Sequence, residues 1–190
     1  MQTALTCAFT QWRPDLGDSH FVGWLTVGVY LSAAIAAWLV ARRLIDRDSA
    51  ARRERWFWRI TAGLMLLLAI NKQLDLQSLL TVFVRCHAQL SGWYDNRRAL
   101  QVVFIYLVAA GGVLSLALSA VLLRGLLNRV GLALAGLGFV CVFVVIRAAS
   151  FHHVDVFLGS TAVGIKLSWL LELPGPTLVA LVALRRRSGI

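Results

Sequence analysis

Three stretches of this chain, Phe21 to Ala41, Leu100 to Leu123 and Val130 to Ile146, carry no charged residue, and wound as helices each roughly matches the thickness of a bilayer's hydrocarbon core. In lipid, such a run must satisfy its backbone polar groups internally, which leaves the helix as the available form. Two further apolar windows, Phe57 to Val84 and Val156 to Leu184, are longer and carry charges, as suits tilted or bent spans. With 59% hydrophobic and only 15% charged residues, the chain cannot cover a soluble globule with a polar skin. The sequence therefore predicts an all-α integral membrane bundle of about five transmembrane helices, forming a single domain over residues 1–190.

The net charge of +10 does not point to nucleic acid, because the basic residues stand in blocks beside the apolar runs rather than among aromatics on a polar domain. Seven arginines from Arg42 to Arg59, then Arg124 and Arg129, then Arg185, Arg186 and Arg187 fall on one side of the membrane. Arg13, Arg85, Arg97, Arg98 and Arg147 fall on the other. The positive-inside rule then places the N-terminus outside and the C-terminus in the cytoplasm. No basic stretch, apolar core and small-residue cleavage site open the chain, so insertion is expected to be led by the first span. Cys7 and Cys86 share the outer side in this topology. Two separate thiols are the expectation, with a disulfide as the alternative in an oxidising compartment.

Asn71-Lys72-Gln73-Leu74-Asp75 interrupts the second window. Lys and Asp near the middle of a bilayer helix each cost about 2.5 to 3.5 kcal/mol on insertion scales, so a retained pair implies a use or a partner. On a continuous helix, Asn71, Lys72, Asp75 and Ser78 share an arc of about 120°, with Gln73 and Gln77 on the other side. Lys72 and Asp75, three residues apart, are also spaced to neutralise each other. The only two lysines among nineteen basic residues are Lys72 and Lys166, both within predicted spans, as if a compact ammonium were preferred there.

A second cluster, Arg147-Ala-Ala-Ser-Phe-His152-His153-Val-Asp155, lies between the fourth and fifth windows. In a helix His152 and Asp155 would be spaced to hydrogen-bond, orienting the imidazole. A weaker alternative is a metal site drawing on His87, His152 and His153 with Asp75 or Asp155, although no His-x-x-x-His spacing is present. The third element, Lys166 to Pro176, places Glu172 beside Pro174 and Pro176, which predict a kink or unwinding halfway along the fifth span. Glu172 and Lys166 each need a partner, and Lys72 and Asp75 are the natural candidates. Four-residue stripes of small residues (Gly28, Ser32 and Ala36; Gly111, Ser115 and Ser119; Gly131 and Ala135) predict that the first, third and fourth spans form the packed frame. Trp56 and Trp58 suit an interfacial aromatic belt.

The strings Asn-Lys-Gln-Leu-Asp-Leu-Gln (71–77), Gly-Trp-Tyr-x-x-Arg-Arg (92–98), Arg-Ala-Ala-Ser-Phe-His-His-Val-Asp (147–155) and Trp-Leu-Leu-Glu-Leu (169–173) resemble those of a family of uncharacterised bacterial multi-pass inner-membrane proteins. The resemblance spans roughly residues 57–175 and implies a bacterial inner membrane without implying an activity. A looser similarity is to the metal-dependent membrane hydrolases that include alkaline ceramidases, which build a zinc site from histidines, an aspartate and a serine. This chain has fewer spans and lacks their His-x-x-x-His.

These readings converge on an outward-facing polar pocket that binds a lipid headgroup or small anionic ligand through Asn71, Lys72, Arg147, Lys166 and Glu172. Asp75, His152 and Asp155 are the candidates for proton handling or catalysis. The competing readings are an accessory subunit whose polar groups meet a protein partner or a second copy, a metal-dependent hydrolase, and a proton-coupled transporter using Asp75, Glu172 and the bend at Pro174. The sequence has no Gly-rich phosphate loop, haem-attachment motif or nucleophile elbow.

Overall fold

The computed structural model describes residues 3–12, 21–74, 76–90, 97–149, 161–162, 165–166 and 171–189. These form seven helices: α1 (Ala4–Gln11), α2 (Phe21–Arg43), α3 (Ser49–Leu74), α4 (Leu76–Leu90), α5 (Arg97–Leu122), α6 (Leu127–Ala149) and α7 (Pro174–Ser188). The one non-helical ladder among the described residues is a two-residue antiparallel pairing of β1 (Thr161–Ala162) with β2 (Ile165–Lys166). Among the described residues, three segments are long and apolar enough to cross a membrane: Gly23–Arg43, Ile105–Leu122 and Leu127–Ile146.

Local chemistry explains the boundaries. Asp48 caps α3, its carboxylate accepting the Ala51 backbone N–H at 2.6 Å, which satisfies a helix-start donor. Gly125 takes φ +85° in the four-residue turn between α5 and α6, a left-handed conformation that favours glycine. Pro174 and Pro176 stand at the start of α7, where a missing N–H costs nothing because the first helical N–H groups have no intrahelical acceptor.

Neighbouring helices in space run α3, α2, α7, α6, α5, so the last helix of the sequence inserts between α2 and α6. The core is correspondingly drawn from α2, α3, α6 and α7 and the α5–α6 turn: Tyr30, Ala33, Ala37 and Val40 of α2, Trp58 and Met65 of α3, Leu123 and Leu126 of the turn, Val130 and Ala133 of α6, Val179 and Ala183 of α7. In contrast, among the described residues α5 packs chiefly on α6, and its apolar segment has no buried residue.

Several expectations are corrected. The window 57–84 takes in helix that begins well before it: α3 starts at Ser49 and is described to Leu74, α4 is described from Leu76, and residue 75 lies outside the described residues. Counted from Ser49, α3 is about 39 Å long. Asn71 to Leu74 form the last described turn of α3. The window 156–184 is not one continuous helix: Lys166 lies on β2, and the predicted interruption falls at Leu173, a bend between helical residues 171–172 and α7, which begins at Pro174. Cys7 and Cys86 are joined in a disulfide that fastens α1 to α4, in place of two separate thiols, and Cys141 remains free.

The small-residue frame also differs. Gly28, Ser32, Gly111, Ser115 and Ala135 are exposed, whereas Ala36 of the predicted stripe is buried, together with Ala33, Ala34, Ala37 and Ala41 of the same helix. Helices α6 and α7 approach closely at Gly136 and Gly175. A Cβ on Gly136 would meet the Gly175 carbonyl oxygen at 2.8 Å, and one on Gly175 would meet Val140 Cγ2 at 2.7 Å. Trp58 is wholly buried in the core. Trp56 is exposed and lies beneath the Arg59 guanidinium, 5.6 Å from the ring centroid.

Candidate functional site

At the end of the bundle where α3 stops and α7 starts, Lys72 Nζ donates to Glu172 Oε2 at 2.9 Å, with the two side chains 11% and 4% exposed. The helices' directions favour this placement. Lys72 occupies the last turn of α3, whose partial negative charge favours a cation, and Glu172 stands just ahead of Pro174, where the partial positive charge of α7 favours a carboxylate. Glu172 is helical, as is Leu171, ahead of a bend at Leu173, and the Thr177 N–H reaches back to the Leu173 carbonyl at 3.1 Å, holding the entry to α7. The pairing of Glu172 with Lys72 was one of the two anticipated from sequence.

A second ionic centre occupies the opposite, arginine-rich end. Glu54 is fully buried and accepts from Arg186 Nε at 2.6 Å and Nη2 at 3.2 Å, a bidentate contact, while Arg129 Nη1 lies 3.6 Å from Oε2. Here α3 contributes the acid near its N-terminus and α7 the base near its C-terminus, the same dipole logic with the roles exchanged. Nearby, Arg55 pairs with Asp46, and Arg43 Nη1 donates to the Arg187 carbonyl oxygen at 3.3 Å. Glu54, Arg129 and Arg186 were read from sequence only as part of a topology signal or not at all. The available signal was that the chain's nine acids include just two glutamates, Glu54 and Glu172.

The backbones of α3 and α7 barely approach one another, because α2 packs against both, so the two helices meet chiefly through these long side chains. On the helix rise, Glu54 and Lys72 are about 27 Å apart along α3, and Pro174, two residues after Glu172, is about 18 Å from Arg186 along α7. The two ion pairs thus stand at opposite ends of the bundle, a separation comparable with the roughly 30 Å thickness of a hydrocarbon core.

Of the remaining sequence candidates, Asn71 is half-buried on the last turn of α3. Gln73 in the same turn has a buried Nε2 with no hydrogen-bond partner among the described residues. Arg147 lies in the last turn of α6 and Lys166 on β2. Nothing further is described for the side chains of those two, or of Gln77 and Ser78. Asp75, His152, His153 and Asp155 lie outside the described residues. His87 is exposed on α4 and stacks on Phe83, with ring centroids 6.3 Å apart. Among the described residues, no group of three or more His, Cys, Asp or Glu is placed to hold a metal ion.

Chemically, the lysine end offers an ammonium whose charge is already met by a carboxylate, an amide donor without a partner, and the first residue of the polar string. The arginine end offers one carboxylate shared by two guanidinium groups. Comparison with protein-family models, with curated proteins and with solved structures found no match.

Proposed function

We propose that this chain is a bacterial inner-membrane protein of five transmembrane helices, with α2, α3, α5, α6 and α7 as the spans, whose lysine end binds a lipid headgroup or a small anionic ligand. The observation that carries this reading is the Lys72–Glu172 pair, two charges withdrawn from solvent between helices whose backbones do not pack together. Replacing such a pair with apolar residues is often no less stable, so stability is a weak reason for keeping it. An incoming phosphate or carboxylate would compete with Glu172 for the Lys72 ammonium, and the unused Gln73 amide donor in the same turn would add a second contact. Arg147 and Lys166 are further cations for the ligand, and Asp75, His152 and Asp155 are the groups we assign to proton handling.

The arginine bias supports a cytoplasmic arginine end and an outward lysine end. The Cys7–Cys86 disulfide supports the same orientation, because it fastens α1 to α4, the helix that follows the lysine end of α3, and disulfides persist in oxidising compartments. The test is a native mass spectrum of the full chain released from mild detergent. The expected result is an adduct of defined mass, lost on Lys72→Met and weakened on Asp75→Asn. A bare chain in the parent protein would remove the ligand reading.

A second reading is an accessory subunit. It is favoured by α5, which among the described residues packs chiefly on α6 and leaves Gly111 and Ser115 outward, a surface on which another helix could approach closely. A monodisperse monomer with no co-purifying chain would count against it.

A further inference from the structure

The arginine end divides its cations into two groups. Arg55, Arg129 and Arg186 have carboxylate partners, Arg43 is bonded to a helix-end carbonyl, and Arg59 covers Trp56. Arg42, Arg47, Arg52, Arg53, Arg124 and Arg185 are all exposed, and among the described residues none has a carboxylate within ion-pairing distance. Only three acids, Asp46, Asp48 and Glu54, belong to the segments that carry this end's twelve arginines. Asp46 and Glu54 are engaged by Arg55 and by Arg186 with Arg129, and Asp48 caps α3. The result is a collar of uncompensated guanidinium groups.

Apolar surface begins one helical turn from the collar, on the same helix faces. Trp38 stands four residues before Arg42 on α2, Trp56 four after Arg52 on α3, and Leu181 four before Arg185 on α7, and all three apolar side chains are about half exposed. A polar macromolecule would match the guanidinium groups and leave the apolar band uncovered. An amphiphile with a phosphate head and acyl tails matches both at once, since guanidinium binds phosphate through paired N–H donors and the tails cover the exposed indole and leucine. We propose that the arginine end is a binding surface for anionic phospholipid. It recruits a shell of phosphate-bearing lipids through Arg42, Arg52, Arg53 and Arg185, with Trp38, Trp56 and Leu181 as the apolar floor. This site lies at the opposite end of the bundle from the lysine-end site and does not depend on it.

The full chain would be reconstituted in vesicles of equal parts phosphatidylglycerol and phosphatidylcholine, released in mild detergent, and its retained lipids counted by native mass spectrometry. The parent protein should retain the anionic lipid in preference. That preference should fall between 0.01 M and 1 M salt as the screening length shortens from about 30 Å to about 3 Å. Each of Arg52→Gln, Arg53→Gln and Arg185→Gln should lower it roughly fivefold, the equivalent of about 1 kcal/mol per cation near an anionic surface. Replacing the same arginines with lysine should retain most of it. Equal retention of the two lipids by the parent protein, or a preference that does not respond to salt, would overturn the proposal, and the salt series requires no variant to fold. Loss of an adduct only in Lys72→Met would report on the lysine end and leave the collar's preference unchanged.

Discussion

Replacing Glu54 with Gln keeps the shape of the side chain and removes the charge that two arginines share. Glu54 is fully buried, receives two hydrogen bonds from Arg186 and lies 3.6 Å from Arg129. Removing one partner of a fully buried pair costs about 3–5 kcal/mol, because the other charge stays desolvated and unmatched. Arg186 is 20% exposed and Arg129 57% exposed, so both can partly turn toward solvent. We therefore expect about 2–3 kcal/mol. On the entropy scale of a domain this size, that lowers the thermal midpoint by roughly 4–12 °C. The assay is loss of helical circular dichroism on heating in mild detergent, applied to Glu54→Gln, Arg186→Met and the double variant. The double variant should recover much of the loss, since no uncompensated carboxylate remains at the centre and Arg129 can reach water. A single variant within about 0.5 kcal/mol of the parent, or a double variant that loses the full sum of the singles, would refute the account of Glu54 as the charge centre of that end.

At the lysine end, Lys72→Glu or Glu172→Lys alone places like charges side by side and should lower the thermal midpoint, whereas the exchanged pair should restore part of it; no restoration would mean the two do not interact. Gly136→Ala and Gly175→Ala each force a methyl against backbone or Val140, and should cost about 1–3 kcal/mol in the same assay. Gly28→Ala and Gly111→Ala, with open space around them, should be close to neutral. Under denaturing conditions a maleimide should add once, at Cys141, and three times after reduction; two or three additions before reduction would dispose of the Cys7–Cys86 bond.

Much of the helical framework was legible because uncharged apolar runs have few alternatives in lipid. Residues 21–41 and 130–146 were read within a few positions of α2 and α6. The course of α4 was not, because Leu76 to Val84 continues the apolar character of α3 and only three-dimensional packing sets α4 against α1. The start of α3 was missed because Arg52, Arg53 and Arg55 were read as lying outside a span, although a helix can continue into the headgroup region. The true seam of α2 lies beside the predicted stripe, since alanines at 33, 34, 36, 37 and 41 offer several faces that hydropathy ranks equally. Glu172 could be matched with Lys72 from their shared need for a partner. Glu54 was hidden by the arginines around it, and only the approach of α7, contributed from more than a hundred residues away, reveals what it neutralises.

The late position of α7 in the sequence and its central place in space bear on biosynthesis. Until α7 enters, α2 and α6 lack the helix that separates them, and Glu54 and Lys72 lack their contacts with Arg186 and Glu172. The antiparallel arrival of α7 supplies both contacts together. A parallel arrival would bring Glu54 toward Glu172 and Lys72 toward Arg186. The two ion pairs thus favour one orientation of α7 over the other as it joins the bundle.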